Sequence, residues 1–559
     1  MDSRFSWSTG YRHPTTWDQE FAPLSLPDML AASALRRGDA PMLDFLGRQF
    51  SYAEVARGAA RVARGLQLQG IGKGSRVGLF LPNVPHYVAA YYGALAAGAT
   101  VVNFSPLYTV AELEAQVEDS GTDTLFTISA AALLPTALKV LDGSSLKQLV
   151  VGSVAGGLPA AKSLLYRLLK RSEVAALPAD PRVIRFSALI DNDGKPEPAL
   201  IDAERDIALI QYTGGTTGTP KGAKLTHQNL TANARQVNAI DPDHDAADRI
   251  LGVLPFFHVF ANTCVLNRTI LNGGSITMLP RFDAKQALDA ITRTKTTALP
   301  GVPTMYQALL DHPDLAKTDF SSLRICISGG APMPAELREK FAAATGASLV
   351  EGYGLTESSG VVATNPYEGP IRPGTIGQPL PATHIRLLDK EDPSKDAPDG
   401  EPGELAVKGP QIMQGYWNRP DADPKPDMDS FTDDGWLRTG DVAVIEADGY
   451  IRIVDRLKDM IAVGGFKVYP SVIEAHLYEH PAVKEAIVLG VPDTYRGEAP
   501  KAFVTLEDGF QVSGEALAAW LNPQLGKHER VKAVEVRLNL PKTMIGKLDR
   551  KALRAETGA

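Results

Sequence analysis

The sequence predicts an α/β fold: a large N-terminal domain of helix-covered βα sheets with a small barrel-like unit, then a small α+β C-terminal domain. Three observations carry the prediction. At 559 residues the chain exceeds what one hydrophobic core supports. Up to Pro379, short apolar strands alternate with helices, the rhythm of parallel sheets covered on both faces. Beyond Pro379 the strands become punctuated by Gly and Pro, and beyond Asp455 the alternation with helices resumes.

The elements follow in order. Residues 77–81 read as a buried strand, 85–97 as a helix and 100–104 as a second strand. Further strands are expected at 124–128, 148–151, 208–212, 250–254, 275–279, 297–299, 324–327 and 348–350. The segments HIRLLD, GELAVKG and VAVIEADGYIRIVD supply the small unit. The last hundred or so residues read as helix 470–478, strands 485–489 and 502–506, helix 514–521 and strand 532–538. Two loops rich in Asp and Pro, 389–402 and 419–435, separate elements of the small unit, and no solenoid repeat is present.

Composition narrows the function classes. Hydrophobic residues make up 44% and charged residues 22%, ordinary for a soluble globular enzyme. A net charge of -8 argues against a nucleic-acid partner. Cys264 and Cys326 cannot make a disulfide framework or a zinc site, which suits a reducing cytoplasm. The opening MDSRFSWSTGYRHP is polar and lacks the apolar centre of a secretory signal. Between Val77 and Ala111 there is no Asp, Glu, Lys or Arg, yet Pro82, Asn83, Pro85, His86 and three glycines interrupt the run. A buried strand–helix–strand is expected there rather than a membrane span.

The strongest chemical signal follows the strand at 208–212. Thr213, Gly214, Gly215, Thr216, Thr217, Gly218, Thr219, Pro220, Lys221 and Gly222 form a loop in which glycines turn backbone N–H groups inward, hydroxyls add donors and Lys221 adds charge. That set suits a polyphosphate. It lacks the Gly-Lys-Ser/Thr of a Walker A loop. Further segments follow strands in the same way. Ser328, Gly329, Gly330 and Ala331 form a Gly-Gly turn that lets a flat base lie on bare backbone, although a plain turn reads equally well. Glu351, Gly352, Tyr353, Gly354, Leu355, Thr356 and Glu357 set a ring face between glycines, with Glu357 a hard oxygen ligand for a cation. Asp441 ends the segment DGWLRTGD, where a carboxylate can accept from two ribose hydroxyls, with Arg456 as companion. His258, in the apolar PFFHVF, reads on position alone as a core histidine.

Taken in order, these motifs resemble the adenylate-forming enzymes: acyl-CoA synthetases, adenylation domains and luciferases. The resemblance runs from about Leu26 to Leu553. It implies that loop 213–221 binds ATP phosphates and that Gly329, Gly330, Ala331, Glu351 and Gly352 border the adenine. It also implies that Tyr353 stacks on adenine, Thr356 touches the α-phosphate, and Glu357 with Thr213 holds Mg2+. Asp441 and Arg456 take the ribose. His258, with Val259 and Phe260, lies beside the acyl pocket. Lys458 becomes the pivot of a hinge, 455–458, between an adenylating domain, 1–454, and a mobile domain, 459–559. Gly464, Gly465 and Phe466 line a coenzyme A tunnel after rotation, and Lys547 is the catalytic lysine. Around Lys547 the chain departs from the family pattern at Met544, Ile545, Leu548 and Asp549, which puts the packing of that loop in question.

The implied reaction joins a carboxylic acid, ATP and CoA through an acyl-adenylate. From Val253 to Leu266 no Asp or Glu is present to hold a substrate ammonium, so an aliphatic or aromatic acid fits better than an amino acid. NPYE at 365–368 and KGPQIMQGYWNRPDA at 408–422 resemble bacterial long-chain fatty acyl-CoA synthetases. Medium-chain, dicarboxylic and aryl acid ligases stand as alternatives, as do an acyl-AMP ligase without CoA and a non-catalytic nucleotide-binding protein. Residues 158–171 (LPAAKSLLYRLLKR) read as a basic amphipathic helix, Leu158, Ala161, Leu164, Leu165, Leu168 and Leu169 on one side. Such a helix suits peripheral contact with the inner face of a membrane, and equally a helix packed on its own domain.

Overall fold

The computed structural model describes residues 10–213, 220–369, 371–418, 430–464, 466–543 and 546–558. Two large sheets form the N-terminal part. In the first, the strands lie in the order Val183–Arg185, Gln148–Gly152, Thr124–Ile128, Arg76–Leu79, Thr100–Asn103, Ile207–Tyr212 and Gly222–Thr226, all parallel except the last. Val77, Leu79, Val101 and Val102 are wholly buried, because helices cover both faces and leave no room for a polar alternation.

Between two of these strands runs helix Pro85–Ala96, started by a proline whose missing N–H costs nothing in the first turn. It is buried almost all round, so its tyrosines need internal partners. Tyr87 donates to Asn103 Oδ1 at 2.9 Å and to the Phe256 carbonyl at 2.9 Å, and Tyr92 donates to Asn267 Oδ1 at 2.6 Å. The charge-free stretch is therefore a core segment. Among the described residues no helix is long and apolar enough to cross a membrane.

The second large sheet has the order Gln378–Pro379, Ala363–Thr364, Ser348–Tyr353, Ile325–Ser328, Ala298–Gly301, Arg249–Gly252, Ser275–Met278, Pro41–Phe45 and Arg48–Ser51. Strands 348–353, 325–328, 298–301, 249–252, 275–278 and 41–45 run parallel, so their carboxyl ends open on one edge. At the opposite edge, by the amino ends of strands 249–252 and 325–328, lies a buried ion cluster. Arg268 donates to Asp241 at 2.6 Å and Asp248 at 2.8 Å, and Arg324 donates to the same two carboxylates at 2.6 and 3.1 Å.

The small unit is an antiparallel meander of His384–Leu388, Gly403–Lys408, Leu437–Ile445 and Ile451–Arg456. The C-terminal part carries its own sheet: Phe466–Val468, Ile461–Val463, Gly497–Leu506 and Val483–Asp493 in order, with Ala533–Val536 parallel to Gly497–Leu506. Helices Pro470–Tyr478 and Gly514–Leu521 lie where the pattern places them, and Ile473, Leu477, Val488, Val504, Leu517 and Leu521 form a separate core. Helices Leu26–Arg37 and Tyr52–Leu68 and the hairpin between them were not part of the sequence reading.

Candidate active site

Strand Ile207–Tyr212 turns back as Gly222–Thr226, with Tyr212 paired to Gly222, and the Thr213 amide donates to the Lys221 carbonyl at 2.9 Å. The phosphate segment is thus bounded on both sides by paired strands. Gly214, Gly215, Thr216, Thr217 and Gly218 lie outside the described residues. The hairpin base is clamped from outside: Tyr212 donates to Asp119 Oδ2 at 2.5 Å, and Trp417 Nε1 donates to the Asp119 carbonyl at 3.1 Å. Lys221 Nζ lies 4.8 Å from the centre of the Tyr416 ring, and the Tyr416 hydroxyl donates to Glu357 Oε1 at 2.6 Å. Thr356 opens the short 3-10 turn that carries Glu357. Residues more than 130 apart in sequence, Lys221 and Glu357, therefore share one tyrosine.

Tyr353, Asp441 and Arg456 also converge. Asp441 and Arg456 are cross-strand partners in the meander, with Arg456 Nε 3.0 Å from Asp441 Oδ1. The Tyr353 hydroxyl donates to the other Asp441 oxygen. The Asp441 carboxylate raises the Arg456 pKa above its ordinary value. Behind the Gly-Gly turn, Glu351 accepts from the Met333 amide at 3.3 Å, and burial pushes its carboxyl up to about 7.

Gly329 and Gly330 are glycines for different steric reasons. A Cβ on Gly329 would stand 3.0 Å from the Phe260 ring. A Cβ on Gly330, whose φ is +84°, would collide with Lys547 Cε, so the lysine stem lies directly on that backbone. His258 is the N-cap of the turn Val259–Ala261, and its Nδ1 accepts from the Phe260 amide at 3.3 Å, which leaves the proton on Nε2. Burial, reinforced by the Lys547 charge, lowers its pKa to about 3, so it is neutral. The Val259 side chain lies in the main core, Phe260 faces the glycine turn, and His258 is near enough to Lys547 to feel its charge.

Lys547 comes from the C-terminal part. Thr543 builds the turn that presents it: the Thr543 amide donates to the Lys547 carbonyl at 2.7 Å, and the Lys547 amide donates to Thr543 Oγ1 at 3.1 Å. Thr304 Oγ1 of the large domain donates to the Gly546 carbonyl at 3.4 Å. Met544 and Ile545 lie outside the described residues. The other two departures from the family pattern have structural reasons. Leu548 packs on the C-terminal cluster of Ile487, Leu489, Phe503, Leu540 and Leu553, and Asp549 caps the last helix by accepting from the Ala552 amide. Burial and the Arg456 charge lower the Lys547 pKa to about 8, Asp441 opposing them.

The expected coenzyme A turn stands elsewhere. Gly464, at φ +57°, joins strands Ile461–Val463 and Phe466–Val468, is exposed, and has open space where a Cβ would be. Gly465 lies outside the described residues, and of Phe466 only the backbone is described. Between the two parts, Asp455 accepts from the Arg456 and Ser471 amides at 2.7 and 3.0 Å, and Lys458 sits in the 3-10 turn Leu457–Asp459. Among the described residues no cluster of three or more His, Cys, Asp or Glu could hold a metal by itself.

Sequence reasoning missed Tyr416, Thr543 and Thr304. The only available signal for Tyr416 was its place in KGPQIMQGYW, which marks kinship and not a role.

This constellation, assembled at the carboxyl ends of two parallel sheets with a lysine brought in from a second domain, defines a class. The chain matches the model of the AMP-binding enzyme family over residues 30–417, and that of the AMP-binding enzyme C-terminal domain over 472–547. It belongs to that family. Among named relatives, the long-chain-fatty-acid–CoA ligase of Bacillus subtilis (strain 168) is 40% identical over 560 residues, covering 100% of this chain and 99% of its own. Solved structures agree: ATP-bound MatB from Rhodopseudomonas palustris superposes with TM-score 0.82 at 29% identity, covering 95% of this chain and 99% of its own. The anthranilate CoA ligase AuaEII with anthranoyl-AMP gives 0.83 at 27% identity, covering 97% and 99%.

Proposed function

We propose that this chain activates a long-chain fatty acid as its acyl-adenylate and transfers the acyl group to coenzyme A. The observation that carries the reading is the Lys547 stem lying on Gly330, beside neutral His258 and the Asp441–Arg456 pair. A carboxylate and ATP are both anions, so attack on the α-phosphate needs positive charge and donors placed in advance. Lys547 and Lys221 bring charge, and Thr213, Thr356 and the loop amides bring donors. Asp441 offers its carboxylate to the ribose, and the bare backbone of Gly329, Gly330 and Ala331 faces the base beside Tyr353. His258, uncharged, positions the acid without competing for the phosphate.

Glu357 is a single hard carboxylate beside Lys221, a set that suits Mg2+ arriving with the nucleotide, since that ion takes one or two protein carboxylates and fills its shell with phosphate and water. When bound it neutralises phosphate charge.

The exposed Gly464 turn and the inserted Lys547 fit the first half reaction. For the second, we place the domain boundary at 455–458, with Lys458 the pivot that withdraws Lys547 and brings Gly464–Phe466 to the adenylate. The long-chain acid is supported by full-length kinship with ligases of that name and by the lack of any acid in 253–266 to hold an ammonium.

The test separates the half reactions. Lys547→Ala is expected to lower acyl-adenylate formation from palmitate by about 100- to 1000-fold, while pre-formed palmitoyl-AMP still reacts with CoA at close to the parent rate. Equal loss in both would remove the lysine from its assigned step. Absence of any palmitoyl thioester by mass would remove the long-chain reading.

A further inference from the structure

We propose that helix Ala160–Leu169 is a docking element for an anionic lipid bilayer. The helix exposes Leu164, Leu165, Leu168 and Leu169 at 63, 55, 58 and 70%. Positions four apart share a face, so these four make one continuous apolar strip on the outside of the molecule. Other large hydrophobic residues exposed among the described ones stand singly or in pairs, Val174 just beyond the helix among them. The opposite side is held: Tyr166 packs against the main core, Leu158 is buried at the start, and Lys162 Nζ donates to the Leu46 carbonyl at 2.8 Å. The helix is thus fixed to the protein by one face and presents the other.

Charge decides which occupant suits that face. Residues 158–171 hold Lys162, Arg167, Lys170 and Arg171 and no acid, on a chain whose net charge is -8. Glu173, just beyond, is already engaged by Lys170 at 2.5 Å. With Lys162 turned to the held side, a second copy of this chain would bring the basic residues of 167–171 against their own kind, whereas anionic headgroups complement them and acyl chains receive the leucines. Position agrees. The helix follows strand Gln148–Gly152, whose carboxyl end shares a sheet edge with that of Ile207–Tyr212, where the phosphate loop begins. Four strand spacings, about 19 Å, separate the two strands. A bilayer docked on the leucines would lie on the side of the molecule from which the active-site loops spring, not behind it.

Flotation of the full chain with vesicles tests this without any substrate, so its outcome is separate from that of the catalytic reading. The chain is expected to float with vesicles of one-third phosphatidylglycerol in phosphatidylcholine, and at least tenfold less with phosphatidylcholine alone or in 0.5 M salt, where the screening length is about 4 Å. Changing Leu164, Leu165, Leu168 and Leu169 to Ser removes exposed apolar surface only. It should abolish flotation while circular dichroism, thermal midpoint and turnover of a water-soluble hexanoate stay those of the parent. Lys170→Glu with Arg171→Glu should reduce flotation at least tenfold. No flotation of the parent, or flotation unchanged in the serine variant, overturns the proposal. So does a parent dimer that the serine variant converts to monomer by light scattering.

Discussion

Lys547 and His258 show how far one charged side chain can reorganise its surroundings. The lysine, buried on Gly330 and facing Arg456, has a pKa lowered to about 8, and its charge helps hold His258 neutral with a pKa near 3. The ammonium is needed for adenylation, and it is lost as pH rises through about 8. In the half reaction with ATP, kcat/KM should therefore fall about tenfold per unit above that pH. His258 does not titrate in the working range and adds no second limb. Lys547→Arg keeps its charge at every accessible pH and should lose the falling limb, even if its rate is lower because the guanidinium is larger. A limb that persists in the arginine variant would assign the titration to another group. Asp441 and Glu357 were legible because each belongs to a contiguous segment whose residue types suit a nucleotide, whereas Lys547 was singled out by family resemblance alone. Tyr416 was not legible. Its place under Lys221 and against Glu357 depends on an isolated bridge from Ala223 to Tyr416 across almost two hundred residues, which no local pattern encodes.

At the scale of elements, the apolar strands were legible because burial on both faces forces uninterrupted runs, and the segments beginning at Thr213, Gly329 and Gly354 follow where such runs end. Elements that rely on partners were read short or not at all. The strands expected at 485–489 and 502–506 extend to Val483–Asp493 and Gly497–Leu506, because Pro492, Gly497 and Pro500 imitate breakers yet stand within the paired ladder, Pro500 opposite Gly490 and Pro492 opposite Glu498. Helix Tyr52–Leu68 carried a readable start, the reciprocal Ser51–Glu54 capping box, that the strand rhythm overshadowed. The buried ion cluster was invisible, since Asp241, Asp248 and Arg324 lie in loops just outside regular elements and Arg268 opens a short helix, Arg268–Asn272. It ties helix His227–Ala239, the strand at 249–252 and the strand at 325–328 together at the edge opposite the glycine turn. Arg268→Met removes one cation and leaves two carboxylates sharing Arg324, so a loss of about 3 kcal/mol or more is expected in urea titration of the large domain. Pairing it with Asp248→Leu should restore part of that loss, because fewer buried charges are then left without a partner. If the single variant unfolds at the parent's urea concentration, the cluster is not a source of stability.

For the molecule as a whole, the proposed rotation assigns two glycines to two alternative fits of the C-terminal domain on the large one. Among the described residues, and away from the boundary where Ser471 donates to the Val454 carbonyl and to Asp455, the fit observed includes Lys547 on Gly330, the Thr304–Gly546 hydrogen bond, and a Lys467–Glu391 pair at 3.1 Å whose partners are well exposed and add little. Such an interface can be exchanged for another of similar strength. A positive φ favours glycine at both positions; Gly330 is also crowded by Lys547, whereas Gly464 has no neighbour in this arrangement, and the proposed rotation would give it one. The expected phenotypes are opposite. Gly330→Ala puts a methyl group in the path of Lys547 and should slow palmitoyl-AMP formation at least tenfold, while saturating palmitoyl-AMP still yields thioester. Gly464→Ile places a branched side chain at φ +57°, where it is strained, and fills the space a pantetheine arm would use. It should leave the pyrophosphate burst intact and let palmitoyl-AMP accumulate as thioester formation falls at least tenfold. If both variants slowed the same half reaction, one domain arrangement would have to serve both chemical steps, and the pivot at Lys458 would have no work to do.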